Sequence, residues 1–169
     1  MNTAERRERI LEYLKGADRP LSATALAQKL EVSRQIIVGD VALLRAAGEG
    51  ITATPRGYVL ERPRAGIVGT VACLHRGQDM ERELTLMVDQ GCTVENVIVE
   101  HPVYGQLTGP LELSSRYDVA EFIRKVEENA ARPLSILTDG VHLHRLRCPD
   151  EGTFERVRAA LGEAGFLAE

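Results

Sequence analysis

From Ile67 onward the apolar residues change period in a fixed order, and that order admits few folds. Ile67 to Leu74 is a continuous apolar run of the kind found in central strands. Residues 79–90 then repeat at helical spacing, with Leu84, Met87 and Val88 inward. Two extended stretches follow, residues 94–101 and 103–113, the second punctuated by Gly105, Gly109 and Pro110. Ser115 is placed to cap a helix whose Val119, Phe122, Ile123 and Val126 share one stripe. Residues 141–146 alternate as another strand, and Thr153 reads as the cap of a last helix reaching Gly162. Strand, helix, two strands, helix, strand, helix is the order of a split βαβ sandwich. The body, residues 65–169, is therefore expected to be an α+β, ferredoxin-like two-layer domain, with helices over one face of an antiparallel sheet.

Residues 1–62 carry a different pattern. Residues 4–16 read as a helix with Ile10, Leu11 and Leu14 on one stripe, stopped by Gly16. Ser22 caps a short second helix through Leu30, and Glu31-Val32-Ser33 has the length of a sharp turn. Ser33 then caps a third helix. Its Ile36, Ile37, Val41 and Leu44 are expected inward, and Arg34, Gln35 and Arg45 outward. Polar donors at the start of the second helix of a helix-turn-helix are where such helices meet base edges, so Ser33, Arg34, Gln35 and Arg45 are the candidate DNA-reading residues. After Gly48 the chain alternates, with Ile51, Ala53, Tyr58 and Leu60 as inward candidates and Thr54-Pro55-Arg56-Gly57 as a hairpin turn. A basic hairpin tip after three helices makes a winged helix, and Arg56 is placed to touch phosphate or enter the minor groove. This head resembles the helix-turn-helix at the start of biotin-repressor-like regulators.

Charge is divided along the same line. Residues 1–64 hold 11 Lys and Arg against 8 Asp and Glu, an excess of +3 within a chain whose net charge is −4. A mildly basic head on an acidic body suits a nucleic-acid-reading module fused to something else. Cys73, Cys92 and Cys148 form no Cys-x-x-Cys pair, so neither a disulfide framework nor a thiolate zinc knuckle is expected, and a reducing cytoplasm fits. The amino end is charged and amphipathic, and no apolar run approaches membrane-spanning length.

The body also holds the side-chain types of a first-row metal site. Period-two alternation puts His142 and His144 on one strand face. His75 ends the Ile67–Leu74 run, and Glu83 falls in the early turns of the helix that follows. Three nitrogens and one carboxylate suit zinc, nickel, cobalt or ferrous iron better than magnesium or calcium. A His-x-His pair alone also suits a half-exposed strand face. Cys73, two residues before His75, is either a spare ligand or a small core residue. His101, held extended before Pro102, is placed to reach the metal pocket, to hydrogen-bond a ligand or to serve as a cap or core residue; Tyr104 and Arg145 are further ligand-binding candidates, although Arg145 alternates to the strand face opposite His142 and His144.

These residues carry a family likeness. His75 with Glu83, the segment Val99-Glu100-His101-Pro102-Val103-Tyr104-Gly105, Pro133-Leu134 leading into Leu137-Thr138-Asp139-Gly140, and Val141-His142-Leu143-His144 resemble the 3H domain, named for its histidines. That domain occurs behind an amino-terminal winged helix in regulators that repress genes for nicotinate uptake or NAD synthesis. The resemblance implies a transition metal, nickel or zinc, at His75, Glu83, His142 and His144. It also implies nicotinic acid as co-repressor, operator DNA as partner, a homodimer, and no enzymatic activity. Two other functions use the same residues: a sensor for which the ion itself is the signal, and a small metallohydrolase with Glu100 as base.

Overall fold

Three helices and a hairpin build the first of two units, which together describe residues 1–168 in a computed structural model. Helix α1 spans Thr3–Gly16 and starts with a capping box, in which the Asn2 side chain accepts from the Glu5 amide and the Glu5 carboxylate accepts from the Asn2 amide. Ser22 and Ser33 cap α2 (Ala23–Leu30) and α3 (Arg34–Ala46), each hydroxyl accepting an amide hydrogen three residues on. Between them Glu31 takes a left-handed conformation, φ 55°, which makes the turn sharp. Ile10, Leu14, Leu26, Leu30, Ile37, Val41 and Leu44 form the core.

Two expected core residues lie outside. Ile36 is 41% exposed, because Ile37, Val41 and Leu44 already occupy the stripe that faces α1 and α2 and a neighbour one residue back points about 100° away. Ala53 is exposed near the tip of the hairpin, while Ile51 at its base is buried. The hairpin pairs β1 (Ile51–Thr54) with β2 (Gly57–Leu60), and Tyr58 exchanges both backbone hydrogen bonds with Leu21. Gly57 has φ 134°, and a Cβ there would stand 2.5 Å from the Leu21 carbonyl, so only glycine allows this approach. Asp40, buried on α3, receives Arg6 Nε at 2.5 Å and Arg7 Nε at 3.1 Å from α1. Burial opposes its ionisation, but the two guanidinium hydrogen bonds outweigh that and hold its carboxyl below the usual range.

The second unit begins at Arg64. Its sheet comprises β3 (Ile67–Leu74), β4 (Thr93–His101), β5 (Gly105–Leu113) and β6 (Val141–Cys148), in the order β3-β6-β4-β5, all antiparallel. Helices α4 (Met80–Asp89), α5 (Arg116–Glu128) and α6 (Glu151–Glu163) share one core with its inward residues, among them Val71, Val94, Leu111, Leu113 and Leu146. This is the expected α+β sandwich. Each βαβ unit is split by an intervening antiparallel strand, with the body's second and fourth strands at the centre, where a ferredoxin-like sheet has its first and third.

Three local differences from the sequence reading have physical causes. β3 is the outer strand, not a central one, and the chain end covers its edge, since the Leu74 amide donates to the Phe166 carbonyl and the Ala168 amide to the Ala72 carbonyl, extending the sheet past β3. The last helix is capped by Asp150, whose carboxylate accepts from the Thr153 amide at 2.7 Å, so it begins two residues before the expected cap. Cys92 and Cys148 are joined in a disulfide with Cα atoms 4.5 Å apart, against the expectation of none. The two are 56 residues apart in sequence, and only the β4–β6 register, which sets Thr93 opposite Arg147, brings them face to face.

Candidate functional site

The first turns of α4 and the inward face of β6 meet at one carboxylate. Alternation along β6 turns His142 and His144 toward the helices, where each is 3% exposed. β3 delivers His75 immediately after its last residue, Leu74. Glu83, one turn into α4, is 1% exposed and lies among all three rings. Its Oε2 is 2.6 Å from His75 Nε2 and 3.4 Å from His144 Nε2, and its Oε1 is 2.9 Å from His142 Nε2. The rings pack edge to face, His75 on His142 and His142 on His144, with centroids 4.8 and 4.9 Å apart.

The other ring nitrogens explain the orientation. His75 Nδ1 lies 2.6 Å from the Arg76 carbonyl, His142 Nδ1 2.8 Å from that of Gly140, and His144 Nδ1 2.8 Å from that of Asn96. A carbonyl only accepts, so each Nδ1 carries the hydrogen, and in a neutral ring Nε2 is then the lone-pair nitrogen. Three such nitrogens face carboxylate oxygens that also only accept. A positive centre, a shared proton or a metal ion, is what this arrangement accommodates, and the donor set suits a borderline transition metal. The Asn96 carbonyl is free for this because the β4 ladder shifts register between Val94 and Asn96.

The electrostatics follow from the packing. Burial works against the Glu83 charge, yet the His142, His144 and His75 rings, which donate to it when protonated at Nε2, hold its carboxyl far below the ordinary range. Burial also works against protonated His75, but the Glu83 hydrogen bond and charge raise its pKa. Cys73, opposite His142 on the neighbouring strand, comes within 4.8 Å of the Glu83 and His142 donor atoms. In the metal-free protein burial and then the Glu83 charge push its thiol up, while Cys73, Glu83 and His142 together present three donor atoms close enough to hold one ion.

Other candidate residues sit elsewhere. His101 closes the β4–β5 turn, its Nδ1 accepting from the Val103 and Tyr104 amides, and Tyr104 is 76% exposed. Neither lines the cleft that opens beside His75. That cleft, about 240 Å³, lies between residues 75–77 and residues 133–140, and includes Arg76, Ser135 and Ile136. None of these three was singled out in the sequence; Arg76 adjoins His75, which was the available signal. Arg145 faces away from the histidines and pairs with Glu95 at 3.0 Å. In the first unit, Arg34 and Gln35 are exposed at the start of α3 and Arg45 near its end, whereas the Ser33 hydroxyl is engaged as the cap. Arg56 stands in the two-residue turn between β1 and β2.

Comparison with known proteins supplies independent findings. The chain matches the 3H domain family over residues 68–169 and an HTH domain family over residues 6–59. It is 43% identical over 165 residues to the "Probable transcription repressor NiaR" of Thermotoga maritima, covering 98% of this chain and 94% of that protein. It is 45% identical over 168 residues to the "Transcription repressor NadR" of Bacillus subtilis, covering 97% and 93%.

Proposed function

Since this chain belongs to the 3H-domain family of helix-turn-helix transcription repressors, we propose that it represses genes for nicotinate uptake or NAD synthesis, with nicotinic acid as co-repressor. It is a DNA-binding repressor and not an enzyme. The finer reading includes one divalent transition metal, nickel or zinc, held by His75, Glu83, His142 and His144. The observation that carries it is the convergence of three Nε2 atoms on Glu83 while every Nδ1 is committed to a carbonyl. A bound ion would supply positive charge and Lewis acidity at that point. The chain's own residues do the orienting: the carbonyls aim the rings, and the core around them excludes water.

Two copies would read two half-sites about one DNA turn apart, roughly 34 Å. The effector would bias how the pair of heads is placed, and linkage then requires that operator and effector change each other's affinity by the same factor. The working compartment of such a repressor is the cytoplasm. No helix among the described residues is long and apolar enough to cross a membrane.

Titration of nicotinic acid into metal-loaded and chelator-stripped protein, with nicotinamide as control, tests the effector reading. Heat of binding only in the metal-loaded protein supports it, whereas operator affinity that follows free metal with no organic acid present would make the ion itself the signal. On the DNA side, Arg34→Ala is expected to cost about 1–3 kcal/mol of operator affinity and to relax sequence preference. Arg56→Ala should instead weaken specific and nonspecific duplexes alike and reduce the salt slope by about 1. Gel-shift titrations over a salt series distinguish the two patterns.

A further inference from the structure

The cleft beside His75 contains a cation and a hydroxyl that the protein itself does not use. Arg76 is exposed, and its guanidinium makes no ion pair or hydrogen bond among the described residues. Elsewhere in the same unit Arg64 is tied to Glu112, and Arg145 and Arg147 to Glu95. Ser135, across the cleft, is only 7% exposed. Its carbonyl is occupied by the Gly140 amide and the Thr138 hydroxyl, but its own hydroxyl has no partner among the described residues. That hydroxyl is open to solvent, so with the unengaged guanidinium it offers hydrogen-bond donors to something that enters the cleft.

The rest of the lining restricts what that is. Pro133 and Ile136 give apolar walls, and His75 borders the cleft while its ring, with the side chain only 4% exposed, is turned inward to Glu83. The closed end is fixed backbone to backbone, since Gly140, at φ 98°, approaches the His75 carbonyl so closely that a Cβ would stand 2.6 Å from it. At about 240 Å³ the space is smaller than the roughly 300–1,000 Å³ of pockets for drug-sized ligands. A single ring fits that scale and a dinucleotide does not. Asp139 at the rim disfavours a second negative charge on the occupant.

We infer that this cleft is a binding site for a one-ring aromatic monocarboxylic acid, with the carboxylate held by the Arg76 guanidinium and the Ser135 hydroxyl and the ring lying against Pro133 and Ile136. The inference rests on the effector reading above and differs from the sequence expectation, which put the acid at His101 and Tyr104. A guanidinium grips a carboxylate through two parallel hydrogen bonds, which a neutral amide cannot match. Binding here would tie residues 75–77 to residues 133–140 and so connect occupancy to the histidine cluster through His75.

Calorimetric titration of nicotinic acid into metal-loaded parent, Arg76→Gln, Arg76→Lys and Ser135→Ala proteins tests this. Arg76→Gln is expected to weaken binding roughly 10- to 100-fold, with Arg76→Lys between it and the parent, and with metal content and effector-free operator affinity unchanged. Parent-like affinity in Arg76→Gln, within about twofold, overturns the site while leaving nicotinic acid as effector. A parent protein that binds no nicotinic acid overturns the effector reading itself. Loss of binding accompanied by loss of metal in Arg76→Gln would show that the arginine acts by shaping the histidine cluster, and also overturns the inference.

Discussion

A Glu83→Ala variant is expected to lose the proposed metal binding and, measured metal-free, to lose about 3–5 kcal/mol of folding stability. Glu83 is 1% exposed and is the one group that all three imidazoles share. Removing it leaves three buried polar nitrogens facing a void without the group they share, and that penalty is larger than the loss of any single hydrogen bond. Glu83→Gln keeps the volume but offers only one acceptor oxygen, so it should fall between the parent and Glu83→Ala. Denaturant unfolding of the chelated proteins, with elemental analysis of metal before chelation, gives both numbers. An unchanged unfolding midpoint in Glu83→Ala would mean that the carboxylate is not the hub of this cluster. The double variant His142→Ala/His144→Ala should likewise lose metal and effector response while the first unit stays folded, and stoichiometric metal in that protein would sink the site assignment.

The metal-free and metal-loaded proteins should respond to pH with opposite signs. In the metal-free protein the Glu83 carboxyl is lowered and the His75 imidazole raised, in each case against the effect of burial. The Glu83 contribution is complete above its unfolded value, about 4.3, and is lost as pH falls through the folded one. The His75 contribution is complete below its unfolded value, about 6.5, and is lost as pH rises through the folded one. Stability contributed by the pair is therefore greatest between those two unfolded values and declines above neutrality. With metal bound the sign reverses above about pH 6, because protons compete with the ion for the same nitrogens and that competition fades as pH rises. Free metal at a thousandfold excess over its Kd would add about 4 kcal/mol. Thermal unfolding between pH 6 and 8, with and without metal, should give slopes of opposite sign. Parallel slopes would mean that ion and proton do not share a site.

Much of this was legible from residue types and spacing. Ser22, Ser33 and Ser115 cap the helices where a short hydroxyl side chain precedes an apolar stripe, and alternation at His142 and His144 implied a shared face. Where the reading failed, the deciding contacts were distant in sequence. Thr153 and Asp150 are both good cap residues, and only the path out of β6 selects Asp150. The Cys92–Cys148 link depends on strand register, and the edge cover of β3 comes from residues at the far end of the chain. The two sides of the cleft, residues 75–77 and 133–140, are separate segments that no periodicity joins. His101 was chosen by residue type and by its place before Pro102, and its Nδ1 accepts from two amides of its own turn.

The partners that aim the three rings are the carbonyls of Arg76, Gly140 and Asn96, and a carbonyl has no amino-acid identity. A mutational scan would therefore pass over much of this supporting layer, since replacing the Arg76 side chain leaves its carbonyl in place. Only edits to the chain's path would register: an inserted or deleted residue at the Val94–Asn96 shift, or a side chain at Gly140, where there is no room for one. The cluster can thus tolerate wide sequence drift around it while remaining intolerant of length changes in β4, so insertions and deletions, more than substitutions, mark the limits within which such a chain can diverge.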